Sequence, residues 1–175
     1  MATKKTSMFT LTERVTISAA ATDTFATIDL GSYVDVGDRQ ALQIHSVDFI
    51  FQGSTAGEAM QSTFTGDCQV NCQVTDLNRG GLVFADDRAL VASAQLNFDN
   101  PANSLYTAAD MYPDNYGKGS DDGRFVVNDQ LYITARASAN LATSSNITVR
   151  VNASIVTLTA KDFMAIAIQS TAADN

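Results

Sequence analysis

Residues 146–158, NITVRVNASIVTL, decide the fold, because apolar and polar side chains alternate along them. Five successive residues of one parity are apolar: Ile147, Val149, Val151, Ala153 and Ile155. Successive side chains of a β-strand point to opposite faces, so this alternation predicts a strand with one buried face. The segment therefore predicts a sheet that covers a core on one side.

The same alternation recurs along most of the chain. It predicts strands over residues 9–17, 25–30, 41–52, 66–75, 82–84, 89–98, 125–137 and 146–158. Within 41–52 the apolar parity changes near His45 and Ser46, which predicts a β-bulge or a bend. About seven to nine one-sided strands, separated by polar turns, indicate an antiparallel sandwich or barrel. We therefore expect an all-β fold.

Two segments depart from this pattern. Thr159-Ala-Lys-Asp162 is a variant of the capping box, and it precedes the apolar run FMAIAIQ. This predicts a short helix over residues 160–169, with a final strand as the alternative for so brief a run. Residues 99–124 form the longest irregular stretch, which is usually a functional or mobile loop in a compact domain.

The length of the chain limits the number of domains, and its net charge limits the partners that it can bind. The 175 residues correspond to one domain, predicted over 9–175, preceded by an N-terminal arm over 1–8. The net charge is −8, and seventeen of the nineteen acidic residues are Asp. This sign repels phosphate backbones, so we expect no sequence-specific nucleic-acid binding. No apolar run reaches a membrane span, and the alternation after Lys4 and Lys5 contains no apolar h-region, so we expect no signal peptide.

The sequence does not favour catalysis. His45 is the only histidine, and no nucleophile motif, zinc-protease motif or phosphate-binding loop accompanies it. Cys68 and Cys72 lie too far apart in a strand for a mutual disulfide, so we expect two small buried apolar side chains. The sequence predicts a protein that is not an enzyme and needs no cofactor, with Ca²⁺ as the one candidate cofactor.

The calcium candidate lies in the long irregular stretch. Its predicted ligands are Asp110, Asp114, Asp121 and Asp122. Aspartate oxygens among glycines suit Ca²⁺, although the spacing matches no EF-hand and the bidentate Glu is missing. A plain acidic loop is the alternative.

Contacts between copies of the chain are predicted at the same stretch and at the N-terminus. Tyr106, Tyr112 and Tyr116 each offer a rigid apolar ring with a polar tip, which suits a contact between subunits. Lys4 and Lys5 are further assembly candidates, with a solvated terminus as the alternative.

Three segments carry a resemblance to a known class of proteins. They are VDVGDRQALQIHSVDFIFQG (34–53), RFVVNDQLYITARAS (124–138) and NITVRVNASIVTLTAKDFMAIAIQ (146–169). In strand order and length the chain resembles the single jelly-roll capsid proteins of icosahedral viruses of bacteria and archaea. The resemblance rests on pattern and includes no diagnostic motif.

The resemblance implies a single jelly roll of about eight strands with a short C-terminal helix. It implies a major capsid subunit that is made in the host cytoplasm, assembles with itself into an icosahedral shell and resides in the virion. The chain lacks the long basic arm of RNA-virus coats, which favours a DNA virus with an internal membrane or other packaging, and other virion proteins as further partners. Two alternatives stay open: another structural β-protein, such as a phage tail, spike or filament subunit, and a calcium- or sugar-binding β-sandwich module.

Overall fold

The computed structural model describes residues 3–18, 20–107, 115–117, 123–138 and 141–171. These residues form ten strands, a short 3-10 helix (Met60–Thr63) and one α-helix. The strands are β1 (Thr3–Lys4), β2 (Phe9–Ile17), β3 (Thr24–Asp29), β4 (Gln40–Gln52), β5 (Cys68–Thr75), β6 (Leu90–Asp99), β7 (Ser104–Thr107), β8 (Arg124–Val126), β9 (Gln130–Ala137) and β10 (Ser145–Thr157), and the helix is α1 (Ala160–Thr171). Within this part of the chain, no helix has the length and apolar character needed to cross a membrane.

The strands form two antiparallel sheets. The first sheet has the order β2–β10–β4–β8, and β1 pairs with β10 on the same side as β2. The second sheet has the order β3–β9–β5–β6–β7. Without β1 and β7, each sheet has four strands, and the chain crosses between the sheets in the double Greek key of a jelly roll. The predicted all-β sandwich with a C-terminal helix is confirmed.

The main core lies between the two sheets. The inward residues of β10 are fully buried, and they are Ile147, Val149, Val151 and Ala153. The second sheet supplies Val70, Cys72, Leu131 and Ile133, which are also fully buried. Phe49 and Phe51 pack against this core but are only half-buried. Each fully buried aliphatic side chain contributes roughly 1.5–3 kcal/mol, so this layer dominates the stability.

The predicted change of parity in β4 is a β-bulge. Asn152 of β10 pairs with Ser46, whereas the next residue, Ala153, pairs with Ile44, so His45 is the extra residue. The bulge lets Ile44 and Val47 both face the core although they differ in parity.

The C-terminal helix is confirmed, and it covers part of the outer face of the first sheet. The Asp162 backbone N–H donates to Thr159 Oγ1 at 3.2 Å, which is the first bond of a capping box. The Asp162 carboxylate accepts from the Thr159 hydroxyl at 2.8 Å, in place of the backbone N–H that a capping box uses. Phe163 packs into a second, smaller cluster. That cluster contains Ala41, Val127, Val156, Leu158 and Phe163, with Phe125, Ile166 and Ala167 at its margin. At this end β10 is therefore buried on both faces.

The prediction of a strand at 82–84 is wrong. The Gln73 side chain takes the place of a strand partner, since its amide donates to Val83 O at 2.9 Å and accepts from Val83 N at 2.8 Å. Gln73 is an outward residue of β5, so the two bonds hold this segment against the outer face of the second sheet, where it pairs with no strand.

The predictions for 99–124 and 125–137 need correction as well. Ser104–Thr107 is strand β7, because Leu105 packs against the core while its backbone pairs with β6. The predicted strand at 125–137 is two strands, β8 and β9, because β8 pairs with β4 in the first sheet and β9 pairs with β5 in the second. Residues 127–129 make the crossing.

Candidate assembly surfaces and polar sites

His45 is held in a buried network of hydrogen bonds. Its Nδ1 lies 3.2 Å from Gly117 O, its Nε2 lies 2.9 Å from Ser154 Oγ, and Ser154 Oγ lies 3.4 Å from Gln43 Oε1. A histidine beside a serine is the geometry of a base and a nucleophile. Ser154 is fully buried, however, so no substrate reaches it. The network instead ties residues 115–117 to the first sheet, together with the Tyr116 N–H, which donates to His45 O at 2.8 Å.

The two cysteines are free thiols in the core. Cys68 and Cys72 are both buried, as the sequence predicts. Burial raises the pKa of the Cys72 thiol far above its usual range. The reactive thiolate is therefore suppressed at Cys72, and its sulfur serves packing.

A buried ion pair joins the two sheets. Arg124, the first residue of β8, donates to Asp76 Oδ2 at 3.0 Å, directly after the end of β5. Burial raises the pKa of the Asp76 carboxyl, and the positive charge of Arg124 opposes that shift. Arg79 forms a second pair with Asp87 at 3.1 Å. The Arg124–Asp76 pair fixes the start of β8, and the Arg79–Asp87 pair holds the segment between β5 and β6 together.

The predicted calcium ligands Asp110, Asp114, Asp121 and Asp122 lie outside the residues that the structure describes, and so does Tyr112. Among the described ranges, no three His, Cys, Asp or Glu side chains are close enough together to hold a metal ion. Calcium binding at 110–122 stays a prediction.

The two N-terminal lysines lie on a segment that pairs with strand β10 of the same subunit. Lys4 is in β1, opposite Val156. The Lys5 N–H donates to Ile155 O at 2.8 Å, and Lys5 Nζ lies 4.0 Å from Asp38 in an exposed ion pair. Their part in assembly stays a prediction.

The two predicted tyrosine anchors in the described residues differ in accessibility. Tyr106 lies on β7 at the edge of the second sheet and is 55% exposed. Tyr116 is half-buried against the main core, and its hydroxyl donates to Val91 O. Their assembly roles stay predictions, and Tyr106 offers the larger free surface.

Sequence reasoning missed several exposed apolar side chains. They are Phe84, Val36, Met164, Ile168, Phe25 and Met8, with exposed fractions of 85, 61, 59, 58, 55 and 53%. Met164 and Ile168 stand four residues apart, so they share one exposed face of α1, about 100–140° around the helix from Phe163. The run FMAIAI could have indicated this exposure, because it is apolar on every side of the helix and only one side packs on the sheet. Exposed apolar patches mark contact surfaces.

Known structures are similar to this chain in fold, at low sequence identity. Neither a protein-family model nor a curated protein sequence matches it. Its fold is similar to the VP1 pentamer of human polyomavirus 6, at 8% identity and a TM-score of 0.46 over 91% of this chain and 99% of that one. It is also similar to the unassembled VP1 pentamer of Merkel cell polyomavirus, at 6% identity and a TM-score of 0.44 over 90% and 98%.

A third similar structure is VP1 of Trichodysplasia spinulosa-associated polyomavirus in complex with GM1 oligosaccharide. Its identity is 8% and its TM-score is 0.44, over 89% of this chain and 98% of that one. At these values we draw no argument about function from the three structures. None of them is from a virus of bacteria or archaea.

Proposed function

We propose that this chain is a structural subunit of a viral capsid, which assembles with copies of itself into a closed icosahedral shell in the virion. One observation carries the proposal, namely the order β2–β10–β4–β8 facing β3–β9–β5–β6. This double-sheet jelly roll is an architecture of viral capsid domains, and it is shared with lectins and cupins.

The distribution of exposed apolar side chains favours a shell subunit among these uses. Phe84 lies on the segment that covers the outer face of the second sheet, while Met164 and Ile168 lie on α1 over the first sheet. Exposed apolar side chains on opposite sheets suit head-to-tail contacts, in which one surface meets a different surface on the neighbour. Such contacts close into the rings of a shell when the rotation between neighbours closes, and they form open filaments when it does not.

The charge of the subunit sets the conditions for assembly. Two subunits that each carry −8 repel one another at long range. Apolar contacts through α1 and the 77–89 segment are short-ranged and do not weaken when salt screens that repulsion. Further virion proteins, an internal membrane and calcium at 110–122 belong to the same proposal as additional partners.

Electron microscopy of the purified protein tests the proposal. We expect closed particles of uniform diameter from the natural sequence. Met164→Asp places a charge on the exposed face of α1 and should abolish them, whereas the matched control Met164→Leu should retain them. Circular dichroism shows whether both variants stay folded.

Other outcomes of the same experiment separate the alternatives. Tubes or fibres would show a tail or filament subunit and contradict the shell. A monomer at every concentration, with ligand-dependent stability in calorimetry, would show a binding module instead.

A further inference from the structure

A solvent-facing depression of about 370 Å³ lies at the end of the second sheet where β5 begins and β6 ends. Its polar lining consists of Asp67, Gln69, Asn97, Asp99, Tyr106 and Ser138. The volume falls in the range of roughly 300–1,000 Å³ that small-molecule sites occupy. None of these residues takes part in the charge pairs or the His45 network.

Strand register places three of the lining side chains in one row. Gln69 of β5 pairs with Asn97 of β6, and Asn97 pairs with Tyr106 of β7. Directly paired residues have Cβ atoms about 4.5–5.5 Å apart on the same face of a sheet. Phe98 and Leu105, which alternate with this row, pack against the core, so the row lies on the solvent face. An aromatic ring thus stands beside two amides.

Backbone contacts hold the polar groups around the row in fixed positions. Asp67 Oδ1 accepts from Asn100 N at 2.8 Å, and Asp99 Oδ1 accepts from Ala102 N at 3.2 Å. Ser138 Oγ accepts from Gln69 N at 2.9 Å, directly after β9. Asp67 is thus bonded to the turn after β6, Asp99 stabilises that same turn, and Ser138 is bonded to β5, so the depression is formed before any ligand arrives. This lowers the entropy lost on binding.

We propose that this depression binds a neutral saccharide ring. Carboxylates accept hydrogen bonds from sugar hydroxyls, amides both donate and accept them, and the half-exposed Tyr106 ring offers an apolar face to the C–H side of a pyranose. The two carboxylates give the site a negative charge, which repels acidic sugars. A sialylated glycan is therefore excluded. The proposal goes beyond the shell, because a subunit assembles with or without it.

Saturation-transfer NMR on the full chain tests the proposal. The probes are the methyl glycosides of mannose, glucose, galactose and N-acetylglucosamine, with 3′-sialyllactose as the acidic arm. We expect transfer to at least one neutral glycoside and none to sialyllactose. Tyr106→Ala should weaken the binding about tenfold or more, while Tyr106→Phe keeps the ring and retains most of it.

Phe25→Ala is the matched control for Tyr106→Ala. Phe25 is also 55% exposed, but it lies on β3 at the opposite edge of the same sheet, so its removal should leave binding unchanged. Binding of sialyllactose alone, an equal loss in Phe25→Ala, or no transfer with neutral glycosides up to about 50 mM, beyond the millimolar range of weak sites, would overturn the proposal. Light scattering of the same samples reports assembly separately, so either proposal can fail alone.

Discussion

Phe163→Ala should detach α1 from the sandwich. Phe163 is 9% exposed and is the largest side chain in the buried cluster between α1 and the first sheet. A buried Phe→Ala substitution lowers the free energy of unfolding by about 3–5 kcal/mol. Here the cluster is small and lies near the surface, so water reaches the vacated space and we expect the low end, about 3 kcal/mol. The loss cannot exceed the free energy that docks α1, because beyond it the helix unfolds locally.

Hydrogen exchange with mass spectrometry measures this effect by segment. In Phe163→Ala, amides of 160–168 should exchange faster, while those of 147–151 in the main core keep their protection. Met164→Ala is the matched control, because Met164 is the next residue, is 59% exposed and gives way to a good helix former. It should change the free energy of unfolding by no more than about 0.5 kcal/mol.

Two results would refute this reasoning. An equal loss in Met164→Ala would mean that the two faces of α1 are assigned wrongly. Equal acceleration of exchange at 147–151 would mean that α1 and the sandwich unfold as one unit.

Three further predictions concern the core and two carboxyl groups. Phe49→Ala should lower the free energy of unfolding by about 2 kcal/mol in urea titration, below the usual range for Phe→Ala, because Phe49 is only half-buried; a loss under about 1 kcal/mol would place the ring at the surface. Burial raises the pKa of Asp76 although the positive charge of Arg124 opposes the shift, so the contribution of this carboxyl to the free energy of unfolding is present in acid and is lost as pH rises through the folded-state pKa. In urea titrations above about pH 4, Asp76→Asn should remove this decrease of the free energy of unfolding with pH. An unchanged decrease would exclude Asp76 as its source. Hydrogen bonds from the Ser54 and Ser62 hydroxyls and the Thr55 N–H lower the pKa of Glu58, so its contribution to the free energy of unfolding is present near neutral pH and is lost as pH falls through the folded-state pKa. Glu58→Gln should make the free energy of unfolding less dependent on pH on the acid side. The same pH dependence as in the natural chain would exclude Glu58 as its source.

Local sequence signals were sufficient for most of the fold. Alternation located the long strands because each has one face on the core, and the change of parity at His45 located the bulge. The TAKD sequence located α1 because a capping box acts within four residues. These features depend on residues that are close together in the sequence, so a sequence pattern is enough to predict them.

The errors arose where a distant residue decides the local structure. Val83 is held by the Gln73 amide ten residues away, and no periodicity of 82–84 shows that contact. The predicted strand is broken at 127–129 because its first part pairs in the first sheet and its second part pairs in the second sheet. The depression beside Tyr106 is lined by residues from four separate parts of the chain. Of its lining residues, only Tyr106 was predicted from the sequence as a contact residue.

Sedimentation velocity across salt tests the central claim most directly. The natural sequence should sediment as a large, uniform particle, and its share should rise between about 0.1 and 1 M NaCl as the Debye length falls from about 10 to 3 Å. Tyr112→Ala should lower that share while circular dichroism stays unchanged. Particles that dissociate as salt rises would show ion-pair contacts between subunits and contradict the apolar account. A monomer at every concentration and every salt would contradict the shell itself.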